Sequence, residues 1–95
     1  MVDDDGFHST HPAPPGPDAA PVRWRLVKRR PDPARVRGYT CECLSLVFED
    51  CRAGGLGFIR RYDWSVDPCV ITESPRVKVG EAETLWHQVI SGQVR

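Results

Sequence analysis

The apolar positions of this chain change period once, near its end. From residue 80 onward, Ala82, Leu85, Trp86, Val89 and Ile90 recur at i, i+3, i+4, i+7 and i+8, which gathers all five on one side of an α-helix. Glu81, Glu83, Thr84, Gln88 and Ser91 take the opposite side. The acids stand in the first turn, where the helix dipole favours negative charge, and Gly92 stands where a glycine stop belongs.

Between Val22 and Ser74 the apolar residues recur more nearly at every second position, the period of a strand. Residues 22–29 follow Pro21 and precede the breaker Pro31-Asp32-Pro33; Trp24, Leu26 and Lys28 alternate with Arg25, Val27 and Arg29, so a first strand is expected there. Residues 31–38 read as a polar connection. Residues 39–51 satisfy two periods: Leu44, Leu46 and Phe48 alternate as in a strand, while Leu44, Val47, Phe48 and Cys51 match a helix. Their Tyr, Thr, Cys, Val and Phe content favours extended chain, and Arg52-Ala53-Gly54-Gly55 suits a hairpin loop or a helix stop. A strand is the preferred reading. Leu56, Phe58, Arg60 and Tyr62 share one face of a further strand, with Gly57, Ile59 and Arg61 on the other. Asp63 to Pro68 reads as a turn, and residues 69–73 as a short β-branched strand ended by Ser74-Pro75. Hairpin-length connections imply antiparallel pairing. The expected fold class is α+β: a small antiparallel sheet of three or four strands with one C-terminal helix packed on it.

Composition changes the picture at the N-terminus. The first 21 residues hold five of the nine prolines, and their only large apolar residues are Met1, Val2 and Phe7. Such a segment buries too little surface to offset its ordering entropy, so residues 1–21 are expected to form a disordered tail, leaving residues 22–95 as one domain. A core of that size stabilises by roughly 3–5 kcal/mol. Trp24, Trp86, Phe48, Phe58 and Tyr62 are its main sources of apolar area.

The net charge is zero but unevenly spread. Four aspartates, Asp3, Asp4, Asp5 and Asp18, make the tail acidic, while residues 22–95 carry 13 basic and 9 acidic side chains. Arg23, Arg25, Lys28, Arg29, Arg30, Arg35 and Arg37 face only Asp32 within residues 23–37. That density attracts phosphate, and Trp24 could stack on a base; the plainer reading is a solvated strand face with Trp24 in the core. Arg60 and Arg61 leave their strand in opposite directions. Either guanidinium could clamp a carboxylate or phosphate, or pair with Glu49, Asp50 or Glu73 on a neighbouring strand. No apolar run approaches the ~20 residues that span a bilayer. The acidic start, Met-Val-Asp-Asp-Asp, has no apolar signal core, so a cytoplasmic protein with reduced cysteines and no membrane partner is expected.

Four cysteines are the sharpest chemical candidates. Cys41 and Cys43 form a C-x-C pair that a strand would point to one face, with Cys51 and Cys69 as the remaining thiolates of a four-sulfur zinc site. Against this, no second knuckle is present, and cysteine is commonly a small buried hydrophobe or a disulfide partner. Gly54-Gly55-Leu56-Gly57 lacks the Lys-Ser/Thr of a phosphate loop and leads into a strand, so it reads as turn chemistry, with Gly57 marking a bulge or close packing. His87 lies four residues after Glu83, an ion-pair spacing when the histidine is charged, and His8 and His11 fall in the tail. No nucleophile elbow or H-E-x-x-H is present, no paired carboxylates stand in an evident cleft, and nothing positions Cys51 or Cys69 against His87 as a nucleophile pair.

Abundant arginine, alanine, proline and glycine, with two lysines and no asparagine, suggest a GC-rich genome. Residues 51–61, Glu81-Ala82-Glu83-Thr84-Leu85-Trp86 and Ser91-Gly92-Gln93-Val94-Arg95 are similar to segments of small uncharacterised cytosolic proteins of GC-rich actinobacteria. That resemblance covers about the last half of the chain. It implies a bacterial cytosolic protein and carries no activity, so it transfers no functional residue. The functional expectation is a non-enzymatic interaction or regulatory module that binds a protein partner and needs no cofactor. Its alternatives are a nucleic-acid-binding module using residues 23–37 and a zinc-stabilised domain.

Overall fold

A computed structural model describes residues 10–28 and 33–95. Six strands and one helix follow in chain order: β1 (Arg25–Leu26), β2 (Arg35–Tyr39), β3 (Leu46–Ala53), β4 (Leu56–Asp63), β5 (Val70–Glu73), β6 (Val77–Lys78) and α1 (Val79–Ile90). The sheet is antiparallel throughout, in the order β1-β5-β4-β3-β2, with β6 also on β4. The α+β class therefore holds, with more strands than the three or four expected.

The hairpin β3–β4 is the centre. Ala53 pairs with Leu56, so Gly54 and Gly55 alone make the turn, and both take positive φ, +58° and +78°. A two-residue turn with both φ positive matches the right-handed strand twist and is open to glycine at little cost. The helical alternative for residues 39–51 gives way to two pieces: β2 ends at Tyr39, and β3 begins at Leu46. Residues 35–39, expected to lie in a connection, form an edge strand instead. Arg37 is the extra residue of a bulge there, because Val36 faces Cys51 while Gly38 faces Asp50. The charges of Arg35 and Arg37 suit such an edge, which invites strand addition when left apolar.

On the other flank, β5 and β6 are one strand broken at Pro75. Glu73 faces Arg60 and Val77 faces Gly57, a shift of one residue between them. Ser74 manages the break: its N–H donates to the Ile59 carbonyl at 2.9 Å, and its hydroxyl accepts the Ile59 N–H at 2.8 Å. Of the first expected strand, Arg25–Leu26 pairs with β5 and the Val27 N–H donates to the Ile71 carbonyl at 2.9 Å; residue 29 lies outside the described residues.

Helix α1 ends as its glycine implied. Gly92, at φ +75°, donates to Val89 and Gln93 donates to Gln88, the paired bonds of a Schellman stop. Ala82 and Val89 are buried, and Leu85, Trp86 and Ile90 are half-buried. The helix lies over the face that carries Gly38, Gly57 and Ile59. Trp86 covers Gly38, and Ala82 packs directly on Gly57. The fully buried Phe58 and Cys51, paired across the hairpin, lie on the opposite face.

The disordered-tail expectation fails for residues 10–21; residues 1–9 lie outside the described residues. Residues 10–22 are a strap across the helix end. Ala13 donates to Ile90 at 2.8 Å, Gly16 to Gly92 at 2.9 Å and Val22 to Arg95 at 2.7 Å, while Ala20 bridges Val94 in parallel. These bonds take up carbonyls that the end of a helix leaves without partners. Among the described residues no helix is long and apolar enough to cross a membrane.

A β-carbon at Gly57 would overlap that of Ala82, which a backbone-to-helix contact cannot absorb cheaply. Gly57→Ala is therefore expected to destabilise by about 1–3 kcal/mol, although alanine otherwise stiffens the unfolded chain. Urea denaturation of the two proteins measures this.

Candidate functional site

The loop between β2 and β3 starts at Thr40, which is fully buried. Its N–H donates to the Phe48 carbonyl and its hydroxyl accepts the Phe48 N–H, both at 2.9 Å. Thr10 of the strap bridges Thr40, and the Thr10 carbonyl accepts the Cys41 N–H at 2.9 Å. That contact sets His11 beside the tight turn that holds Cys41 and Cys43.

The result is a cluster of three metal-type ligands. The Cys41 thiol donates to the Cys43 sulfur at 3.1 Å, and the Cys43 sulfur is 3.2 Å from His11 Nε2. The ligand atoms all lie within 4.8 Å of one another. Cys41 is buried, while Cys43 and His11 are exposed. Thiolates bound at about 2.3 Å to a tetrahedral zinc stand roughly 3.8 Å apart, so the two sulfurs need to open by only a fraction of an ångström. Two sulfurs and an imidazole suit a thiophilic d¹⁰ ion and leave one tetrahedral position for an outside ligand. The Cys41 hydrogen bond raises the Cys43 thiol above its ordinary range, and metal binding would replace that bond.

The four-sulfur arrangement is not assembled. Cys41 and Cys43 meet, but on a turn rather than on one face of a strand, and neither Cys51 nor Cys69 belongs to the cluster. Cys51 lies inside the sheet opposite Phe58, with its thiol turned to the Glu49 carbonyl at 3.7 Å. Cys69 is half-buried just before β5. All four cysteines are free thiols. His11 was hidden from sequence reasoning because it stands in a segment whose composition signals disorder; no spacing ties it to Cys43.

The arginines separate by face. On the face away from the helix, Arg60 Nε donates to Glu73 at 2.8 Å, and the Tyr62 hydroxyl donates to Glu49 at 2.8 Å. Burial is the largest single influence on Arg60 and opposes its charge, but the hydrogen bonds to Glu73 and Tyr62 and the neighbouring negative charge together outweigh it, so its pKa is raised. Arg76 joins Glu73 at 3.8 Å and lies 4.3 Å over the Phe58 ring. Arg61 points the other way: its Nε donates to Thr72 Oγ1 at 3.1 Å, and its guanidinium lies 4.4 Å over the Trp24 ring. Burial lowers its pKa, with the charge of Asp63 acting in the opposite direction.

Among the described residues of 23–37, Arg25 lies on β1 and Arg35 and Arg37 on β2, at opposite ends of the strand order. Trp24 packs against Phe48, with ring centroids 6.1 Å apart, and beneath Arg61, so its ring is engaged inside the fold. Arg25 pairs in register with Glu73. Arg23 and Lys28 are exposed; Arg29 and Arg30 lie outside the described residues. His87 is exposed in the last turn of α1, and Cys51 is buried within the sheet. No protein-family model matches the chain, and no curated protein or solved structure shows similarity to it.

Burial pushes the Cys51 thiol up to about 11, with Arg60 acting against the shift. A thiol held neutral by the fold stabilises it less as pH rises, because the unfolded chain ionises first. Stability is therefore expected to fall between about pH 9 and 11, and Cys51→Val to remove part of that fall relative to the parent. Parallel denaturation at pH 7, 9 and 10.5 checks the difference. An equal fall in both proteins would show that Cys51 is not its source.

Proposed function

We propose that this protein is a non-enzymatic interaction module of the bacterial cytoplasm whose N-terminal strap is fastened by a metal ion. The ion is Zn²⁺ or a similar thiophilic cation, held by His11, Cys41 and Cys43. The convergence of these ligand atoms, from segments about thirty residues apart, carries the reading. A metal bound there joins the strap to the β2–β3 loop, and so acts as a cross-link between parts of the chain that otherwise meet through backbone hydrogen bonds and packing. The protein partner of this module would meet the sheet face away from the helix. Support for that comes from Trp64, which is 62% exposed and stacked on Tyr62 with centroids 6.5 Å apart. Tyr and Trp are common anchors of protein interfaces.

Reduced, metal-free protein titrated with Co²⁺ is expected to develop thiolate-to-metal absorption at one equivalent, and Zn²⁺ to displace it. Cys43→Ser and His11→Ala should weaken binding, while Cys51→Ser and Cys69→Ser should not. Zinc at a hundred times Kd should stabilise the fold by about 2.7 kcal/mol, seen as a rise in Tm that a chelator reverses. No cobalt absorption, or equal loss in the Cys51 and Cys69 variants, would overturn the assignment.

A further inference from the structure

Beyond His11 the strap roofs a cavity of about 480 Å³. Residues 12–15 form one wall; Val89 at the helix end and Trp24, Leu46 and Phe48 on the sheet form others. The lining is almost wholly apolar, and the volume falls within the range of small-molecule sites. Two guanidiniums reach it. Arg95 already gives its Nε to the Ala19 carbonyl at 3.1 Å. Arg61 is different: among the described residues, beyond its Nε bond to Thr72, its Nη groups have no acceptor and no carboxylate forms an ion pair with it. Asp63 is the acid whose charge it feels, but that carboxylate accepts the Ser65 N–H at 2.9 Å and the Ser65 hydroxyl at 2.5 Å. Trp24 adds a second donor, since its indole N–H is buried and has no partner among the described residues.

A half-buried guanidinium with no carboxylate in ion-pair contact among the described residues, in an otherwise apolar hollow, is an incomplete pair. Its fork matches a carboxylate, and the hollow matches a hydrocarbon or aryl tail. The neighbouring arginine shows the contrast, because Arg60 has its acid in Glu73. We propose that the cavity beneath the strap binds an amphipathic monocarboxylate, its carboxylate on Arg61 and its apolar tail against Trp24, Leu46, Phe48 and Val89. The cavity is lined by residues other than His11, Cys41 and Cys43, so the proposal does not rest on the metal reading.

Calorimetric titration of the full chain with decanoate, decan-1-ol and decylammonium tests this, with ¹H–¹⁵N spectra following the three indole N–H signals. Decanoate is expected to bind about tenfold or more tightly than decanol, since a charge-assisted pair is worth that factor, and decylammonium least. The Trp24 indole signal should move on adding decanoate. Arg61→Gln should bring decanoate down to the level of decanol. Equal binding of decanoate and decanol to the parent protein overturns the proposal, whether or not the variant folds. So does the absence of decanoate binding, or a response confined to Trp64 and Trp86. Cys43→Ser provides the separation from the metal site: lost metal binding with retained decanoate binding leaves this proposal standing.

Discussion

The parallel run of backbone between residues 13–22 and the segment after the helix is the constraint on which the remaining features depend. It takes up the Ile90 and Gly92 carbonyls, and it carries the strap over the helix-covered face of the sheet. The cavity wall at residues 12–15 follows from it. So does the approach of His11 to Cys43, since Thr10 and Ala13 anchor the chain on either side of that histidine. Gly92 is central to this join. Its positive φ turns the chain out of the helix, and a β-carbon there would strike the Pro14 carbonyl of the strap.

The sheet uses its two faces differently. Away from the helix, its charged groups are matched: Arg60 and Arg76 meet Glu73, and Tyr62 meets Glu49. The two guanidiniums also cover Phe58, whose ring is fully buried without a helix above it. Arginine thus serves as lid as well as ion, with its long stem supplying apolar contact. Under the helix and strap the charge accounting is less complete. Asp50 pairs with Arg52, whereas Arg61 rests on an aromatic ring and a threonine hydroxyl.

The parts legible in the sequence were those specified locally. The helix declared itself through five residues on one face and a glycine stop. The β3–β4 hairpin did so through Gly54-Gly55 between two alternating runs. The division of Arg60 and Arg61 followed from strand alternation alone. The strand β2 was concealed because Arg35, Arg37 and Gly38 lack strand-like composition; its pairing with β3 supplies what its own residues do not. The strap was concealed for a different reason. Proline lowers the conformational freedom of the unfolded chain, so a segment poor in apolar residues can dock at less entropic cost than composition suggests. Its stabilising bonds are made to backbone some 75 residues away, which no local pattern announces. A segment whose composition reads as a tail keeps His11 out of the metal set that the sequence proposes, which holds the four cysteines alone.

The central hairpin closes over a two-residue turn, whereas the strap closes a loop spanning nearly the whole chain. Loop-closure entropy grows with that separation, and contacts made over long separations are assembled late. The strap's backbone bonds run to the helix end, to the segment after it and to the β2–β3 loop, so none of the strand pairings depends on a hydrogen bond from residues 13–22.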